Sequence, residues 1–140
     1  EQIVQELVDQ FLQQLDEALQ AIVSREDLNF SDKLAAVLVL YFQSFQRHSG
    51  SPVFSSADPG VFAQLRDRAS GIALTQTATL LRQGMAQGLI RIEYPEFMLK
   101  VLIRGLGDLY LEGVSQVEVH ATLVEQALGL KKGTLRLNFD

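Results

Sequence analysis

His48 and His120 are the two side chains of this 140-residue chain whose ordinary titration falls near neutral pH, and the chain has no cysteine. They stand on separate predicted helices. Neither follows a glutamate by three residues, the Glu-x-x-His spacing with which helical bundles hold paired iron or manganese ions. Without cysteine there can be no disulfide, thiolate nucleophile or thiolate-held zinc or iron–sulfur centre. No His-Glu-x-x-His pair, lysine-bearing phosphate loop or Gly-x-Ser-x-Gly elbow is present. Gly84, Gly88, Gly105 and Gly107 stand in no strand-to-helix turn whose free amides would cradle a phosphate. The sequence therefore predicts no catalytic residues, no cofactor, no metal site and no enzyme.

Binding is the chemistry that remains. His48 follows Leu34, Leu38, Tyr41 and Phe45 on one helical face. Its imidazole either ends an apolar cavity or, in the last turn of its helix, interacts with the helix dipole when protonated. His120 opens a short helix and is expected at the surface or in an interface. Gln76 and Thr79 interrupt an apolar helix beside Ala73, Leu80 and Leu81, where they can hydrogen-bond a ligand. A mid-helix threonine can equally bond its own backbone. Arg104 and Asp108, four apart, form with Glu96 and Lys100 either a solvated ion-pair row of small energetic weight or, facing a cavity, a pair of orienting groups. Gly105 and Gly107 each cost a helix about 1 kcal/mol relative to alanine and so need a packing reason. Gly105 shares a face with Met98, Leu102 and Leu109, where a close crossing with a symmetry-related helix would supply one; close packing within one protomer is the alternative.

Five predicted helices position these residues. Ile3, Val4, Leu7, Val8, Phe11, Leu12, Leu15, Ala18, Leu19, Ile22 and Val23 recur at three- and four-residue steps and make Glu1–Ser24 a long amphipathic helix. That periodicity already runs at residue 3 with no capping residue ahead of it, so the chain is expected to be part of a longer one. Ser31 is a candidate N-cap for a second helix reaching about His48, whose uncharged run Leu34 to Phe42 predicts a central position. Asp58-Pro59 opens a third helix toward Gln87, with Phe62, Leu65, Ala69, Ile72, Ala73, Gln76 and Leu80 on one stripe. A fourth runs from Pro95 to Glu112 with charges at every fourth position, which leaves two apolar faces where one core can take one. Ser115 and Glu118 form a capping-box pattern before a fifth helix that Gly129 closes. Leu135, Leu137 and Phe139 alternate with polar residues in an extended tail.

Composition bounds the rest. With 47% apolar and 21% charged residues the chain is an ordinary globular domain, long enough to bury about two-thirds of its unfolded surface. The apolar stretch Phe97 to Leu111 contains Lys100, Arg104 and Asp108 and is too short and too charged to span a bilayer, so no membrane partner is expected. No signal peptide is visible, which makes a cytoplasmic location the expectation. A net charge of −5 opposes a direct grip on phosphates, so any DNA contact must come from elsewhere.

The segment from Gln83 to Gly113, QGMAQGLIRIEYPEFMLKVLIRGLGDLYLEG, joins two long apolar helices. Gly84 and Gly88 close one helix, Leu89-Ile90-Arg91-Ile92 crosses over, and Pro95 takes the first helical position of the next. This Gly-x-x-x-Gly-x-Ile-Arg-x-x-x-Pro connection resembles the C-terminal regulatory domain of TetR-type transcriptional repressors. The resemblance covers most of the chain and is strongest between Gln83 and Leu128. It implies an all-α fold of five to six helices whose last two form a four-helix-bundle homodimer. It also implies a small apolar effector held among the helices, and DNA binding only through an N-terminal helix-turn-helix domain absent from these residues.

Helical phase then places Tyr41, Phe42, Phe45 and His48 around the effector cavity, facing Ile72, Gln76 and Thr79. The dimer seam is expected to use Leu102, Gly105, Leu109, Val117, Val124 and Leu128. Two other classes stay open: a helical module that binds a partner protein and no small molecule, and a lipid-binding or ferritin-like bundle.

Overall fold

The computed structural model describes residues 2–49 and 59–137, with the backbone alone for 45–49. Its five helices are α1 Gln2–Val23, α2 Phe30–Ser49, α3 Pro59–Ala86, α4 Pro95–Leu111 and α5 Val117–Leu128, and there is no strand among the described residues. The chain is all-α. None of these helices is long and apolar enough to cross a membrane.

In α1 the periodic stripe becomes the buried face, with Val8, Phe11, Leu12, Leu15, Leu19 and Val23 inside. Its last carbonyls are met by α2, since Lys33 Nζ donates to Val23 O at 2.9 Å, a cation at the negative end of a helix dipole. The cap of α2 is Asn29 rather than Ser31: Asn29 Oδ1 accepts from the Asp32 amide at 2.9 Å. Starting the helix earlier brings Phe30 into the core, where it is 4% exposed. Leu34, Ala35, Val37, Leu38, Tyr41 and Phe42 are buried, while Val39 and Leu40 are half-buried. Thus α2 is mostly enclosed but not encircled.

The helix in contact with the most others is α3, which packs on α1, α2 and α4. Ala69 and Ala73 are fully buried along it, and small side chains there let three neighbours approach closely. Gly84 lies inside α3 rather than closing it. A Cβ at Gly84 would stand 2.8 Å from Phe30 Cε1 and 3.1 Å from Ile90 Cδ1. Closure falls to Gly88, in the left-handed region at φ +74°, with Leu89 N donating to Gly84 O at 2.8 Å and Gly88 N to Met85 O at 3.0 Å. Pro95 then opens α4 after Tyr94, itself left-handed at φ 53°.

The predicted capping box of α5 does not form. Gln116 holds the N-cap position without a side-chain hydrogen bond, one residue past Ser115, so Ser115 and Glu118 are out of register for the reciprocal bonds. Gly129 does close α5, at φ 70°. Beyond it the tail turns at Lys132-Gly133 and then has no regular secondary structure, with Leu135 and Leu137 buried on either side of exposed Arg136. The buried Glu125 carboxylate anchors it by accepting from the Leu135 amide at 2.9 Å. Phe139 and Asp58 lie outside the described residues.

Gly84→Ala should destabilise the chain by about 1–3 kcal/mol, the usual cost of forcing a methyl group into a filled core. Urea denaturation followed by circular dichroism measures this; an unchanged midpoint would show that Phe30 gives way freely.

Candidate functional site

Helix α4 carries its charges at Glu96, Lys100, Arg104, Asp108 and Glu112, all exposed, and turns Leu99, Leu102, Ile103 and Leu106 inward. That leaves a second apolar face. Phe97 is 72% and Val101 68% exposed, and Met98 lies between them. The Phe97 ring sits 6.1 Å from that of Tyr94, which is equally open. Alongside, α5 contributes Leu123 and Ala127, and the two helices bound a groove of about 630 Å³ in which Asp108 and Gln126 are the polar residues. Gly105 forms part of its floor, and a Cβ there would meet nothing within 4 Å. No atom of the described chain thus supplies the packing reason that a mid-helix glycine needs.

Of the residues expected in a dimer seam, Leu102, Gly105 and Leu109 line this groove. Val124 and Leu128 do not: each is 1% exposed, inside the core of the chain. Val117 is half-buried against that core. A 12-residue helix has one stripe with which to hold itself to the domain, and α5 uses Val124 and Leu128 for it. Away from that stripe lie exposed Val119 and half-buried Leu123 and Ala127, a rotation that periodicity alone leaves undefined.

The expected effector residues fall in three places. Tyr41 and Phe42 are in the core, at 2% and 0% exposure. The Tyr41 hydroxyl shares a 2.8 Å hydrogen bond with Ser70 Oγ. Phe42 stacks on Tyr110 with centroids 5.3 Å apart and 14° between planes, and tilts against His120 at 5.2 Å. Far from a surface position, His120 is fully buried, and its Nε2 lies 2.7 Å from Val114 O. A carbonyl oxygen only accepts, so Nε2 carries the proton and ties the α4–α5 connection to the core.

Ile72 and Gln76 face α1 instead. Ile72 lines a shallow polar groove with Asp9, Asp16, Arg68 and Thr75, and Gln76 Nε2 donates to Asp16 Oδ1 at 2.9 Å. Thr79 is exposed, with its hydroxyl 3.4 Å from Thr75 O. The side chains of Phe45 and His48 lie outside the described residues. On α3 the polar residues turned inward are Ser70 and Thr77, and Thr77 satisfies its hydroxyl on Ala73 O at 2.7 Å. One helical position is about 100° of rotation, enough to carry Gln76 from α2 to α1.

Arg104 and Asp108 do not pair with each other. They bridge to α3, Arg104 Nη1 to Asp67 Oδ1 at 2.8 Å and Asp108 to Arg66, across a cleft of about 220 Å³. The signal for this in the sequence was the adjacent Arg66-Asp67, a matching pair of opposite charges one helix earlier. Among the described residues no group of three His, Asp or Glu side chains is placed to hold a metal ion.

Burial pushes the Tyr41 phenol above its ordinary value, opposed by its hydrogen bond to Ser70. A phenol raised in the folded state stays neutral where the unfolded chain has begun to ionise. Its contribution to stability is therefore complete below about pH 10 and lost as pH rises through the folded value. Tyr41→Phe should flatten the alkaline loss of stability, leaving the share from Tyr110, which burial also raises. Denaturant midpoints measured between neutral pH and strong alkali test this; identical profiles for the two proteins would contradict it.

No protein family, curated protein or solved structure matches this chain in the comparisons with known proteins.

Proposed function

We propose that the chain is the dimerisation and ligand-sensing domain of a TetR-like transcriptional regulator. The observation that carries this reading is the outer α4–α5 face, where Gly105 opens the floor of an apolar groove flanked by Met98, Val101, Leu109, Leu123 and Ala127. A second copy about a twofold axis would lay the same two helices into it, giving a four-helix bundle with an isologous seam. Gly105 then has its packing reason, as two helix backbones can approach at a residue without a side chain. Other support comes from the resemblance of the Gly84-to-Pro95 connection and from the helix order, with a hairpin of two final helices. Under this reading an effector biases the chain between two arrangements, and α1 passes the difference to a DNA-reading head that belongs to a separate N-terminal domain.

A second reading is favoured by one observation. Tyr41, Phe42, Ala69 and Ala73 pack with almost no exposure where the effector cavity was expected, so the same face serves equally well as the docking surface of a partner-binding module that takes no small molecule.

Sedimentation velocity at micromolar concentration separates the two. The wild-type chain should run as a dimer. Val101→Arg, at a position 68% exposed in the single chain, should yield a folded monomer, and Leu109→Arg should do the same. A wild-type monomer sinks the dimerisation reading and leaves the partner-binding one; a dimer that survives both substitutions places the seam elsewhere.

A further inference from the structure

The cleft between α3 and α4 was absorbed neither by the dimer face nor by the core. We propose that it binds a small organic carboxylate, held by the guanidinium groups of Arg66 and Arg104 beside the Ser70 hydroxyl. This deepens the ligand-sensing reading and rests on it, naming the chemical class of the effector and the place of its charged end.

Two helices line it: α3 brings Arg66 and Ser70, and α4 brings Arg104. Tyr41 of α2 lies in the core behind Ser70, its hydroxyl 2.8 Å from Ser70 Oγ and the residue 2% exposed. A Cβ at Gly107 would stand 3.8 Å from that hydroxyl, an ordinary contact distance.

Each guanidinium meets its aspartate through a single nitrogen, Nη2 of Arg66 to Asp108 and Nη1 of Arg104 to Asp67. A guanidinium is a planar fork of five donors, and one occupied nitrogen leaves an edge for a bidentate carboxylate. The aspartates hold two long side chains across the mouth before any ligand arrives, which lowers the ordering that binding would otherwise require. Two arginines and two aspartates also cancel in charge. An anion is therefore held by the directed hydrogen bonds of the forks and repelled by Asp67 and Asp108, a repulsion that is smaller for a singly charged carboxylate than for a multiply charged inorganic anion. The cleft, at about 220 Å³, lies below the range of about 300–1,000 Å³ for sites that enclose drug-sized molecules, so the ligand is small. Arg104 is the neighbour of Gly105, so a ligand that draws Arg104 away from Asp67 alters the bracing of the helix that carries the dimer face.

Benzoate, its neutral isostere benzamide, acetate, butyrate and inorganic phosphate serve as probes, followed through the arginine Nε–Hε resonances of the ¹⁵N-labelled chain. Saturable shifts of Arg66 and Arg104 are expected with at least one carboxylate, and none with benzamide or phosphate. Arg104→Lys retains the charge without the fork and should weaken binding at least about tenfold, the worth of one lost charge-assisted hydrogen bond. Tyr41→Phe should weaken it less. Failure of all three carboxylates to shift both resonances, equal binding of benzamide or phosphate, or undiminished binding by a folded Arg104→Lys chain would each overturn the proposal. Val101→Arg leaves the cleft untouched, so the two readings fail separately: a dimer that binds no carboxylate loses this inference alone, and a monomer that binds one loses the dimer alone.

Discussion

Close approach of helices to α3 is the constraint on which the rest of this structure depends. Three helices pack on it, and the positions that let them do so are Ala69, Ala73 and Gly84, all inward-facing and nearly without side chain. A larger residue at any of them would separate helices whose dispersion contacts hold the domain together. Gly84 is the tightest, with the Phe30 ring against it, and Phe30 reaches that point because Asn29 starts α2 early enough to include it. A local capping bond and a long-range packing contact are thus parts of one arrangement.

A second cluster secures the α4–α5 hairpin to this spine. Phe42 lies between Tyr110 and His120, and His120 bonds Val114 O in the connection between the two helices. Buried aromatic groups in contact add to their area burial through ring geometry, and a buried imidazole N–H that donates to a backbone carbonyl avoids the penalty of an unsatisfied donor. Glu125 does the same for the tail by receiving the Leu135 amide. Among the described residues, the buried His120 and Glu125 thus fix chain connections, while the buried Ser44 and Thr77 bond the backbone of their own helices.

The consequence for function is that α4 has three different sides. One is core, one is the apolar groove around Gly105, and one is the charged cleft shared with α3. Gly105 borders the groove, and Arg104 beside it in the chain borders the cleft. Under the proposed function, a helix that contacts both would link an occupant of one to a partner on the other, the kind of two-site coupling a regulator needs.

Periodicity and end signals were enough to read the five helices, because a helix is a local structure: the α1 stripe, Pro59, Pro95, Gly88 and Gly129 act within one or two turns of the chain. The apolar outer strip of α4 was legible for the same reason, since charges at every fourth position leave two uncharged faces. Which of two nearby polar residues caps a helix was not, because Asn29 against Ser31, and Gln116 against Ser115, differ by a residue or two in register. Nor were the rotations of α3 and α5 about their axes, which put Ser70 rather than Gln76 toward Tyr41, buried His120, and sent Val124 and Leu128 inward. The amino-acid sequence by itself determined the helices and the chemistry on each of their faces. Only the tertiary structure decided which faces meet, because each residue turns a helix by about 100° and the rotation that wins is the one that fills the shared core best.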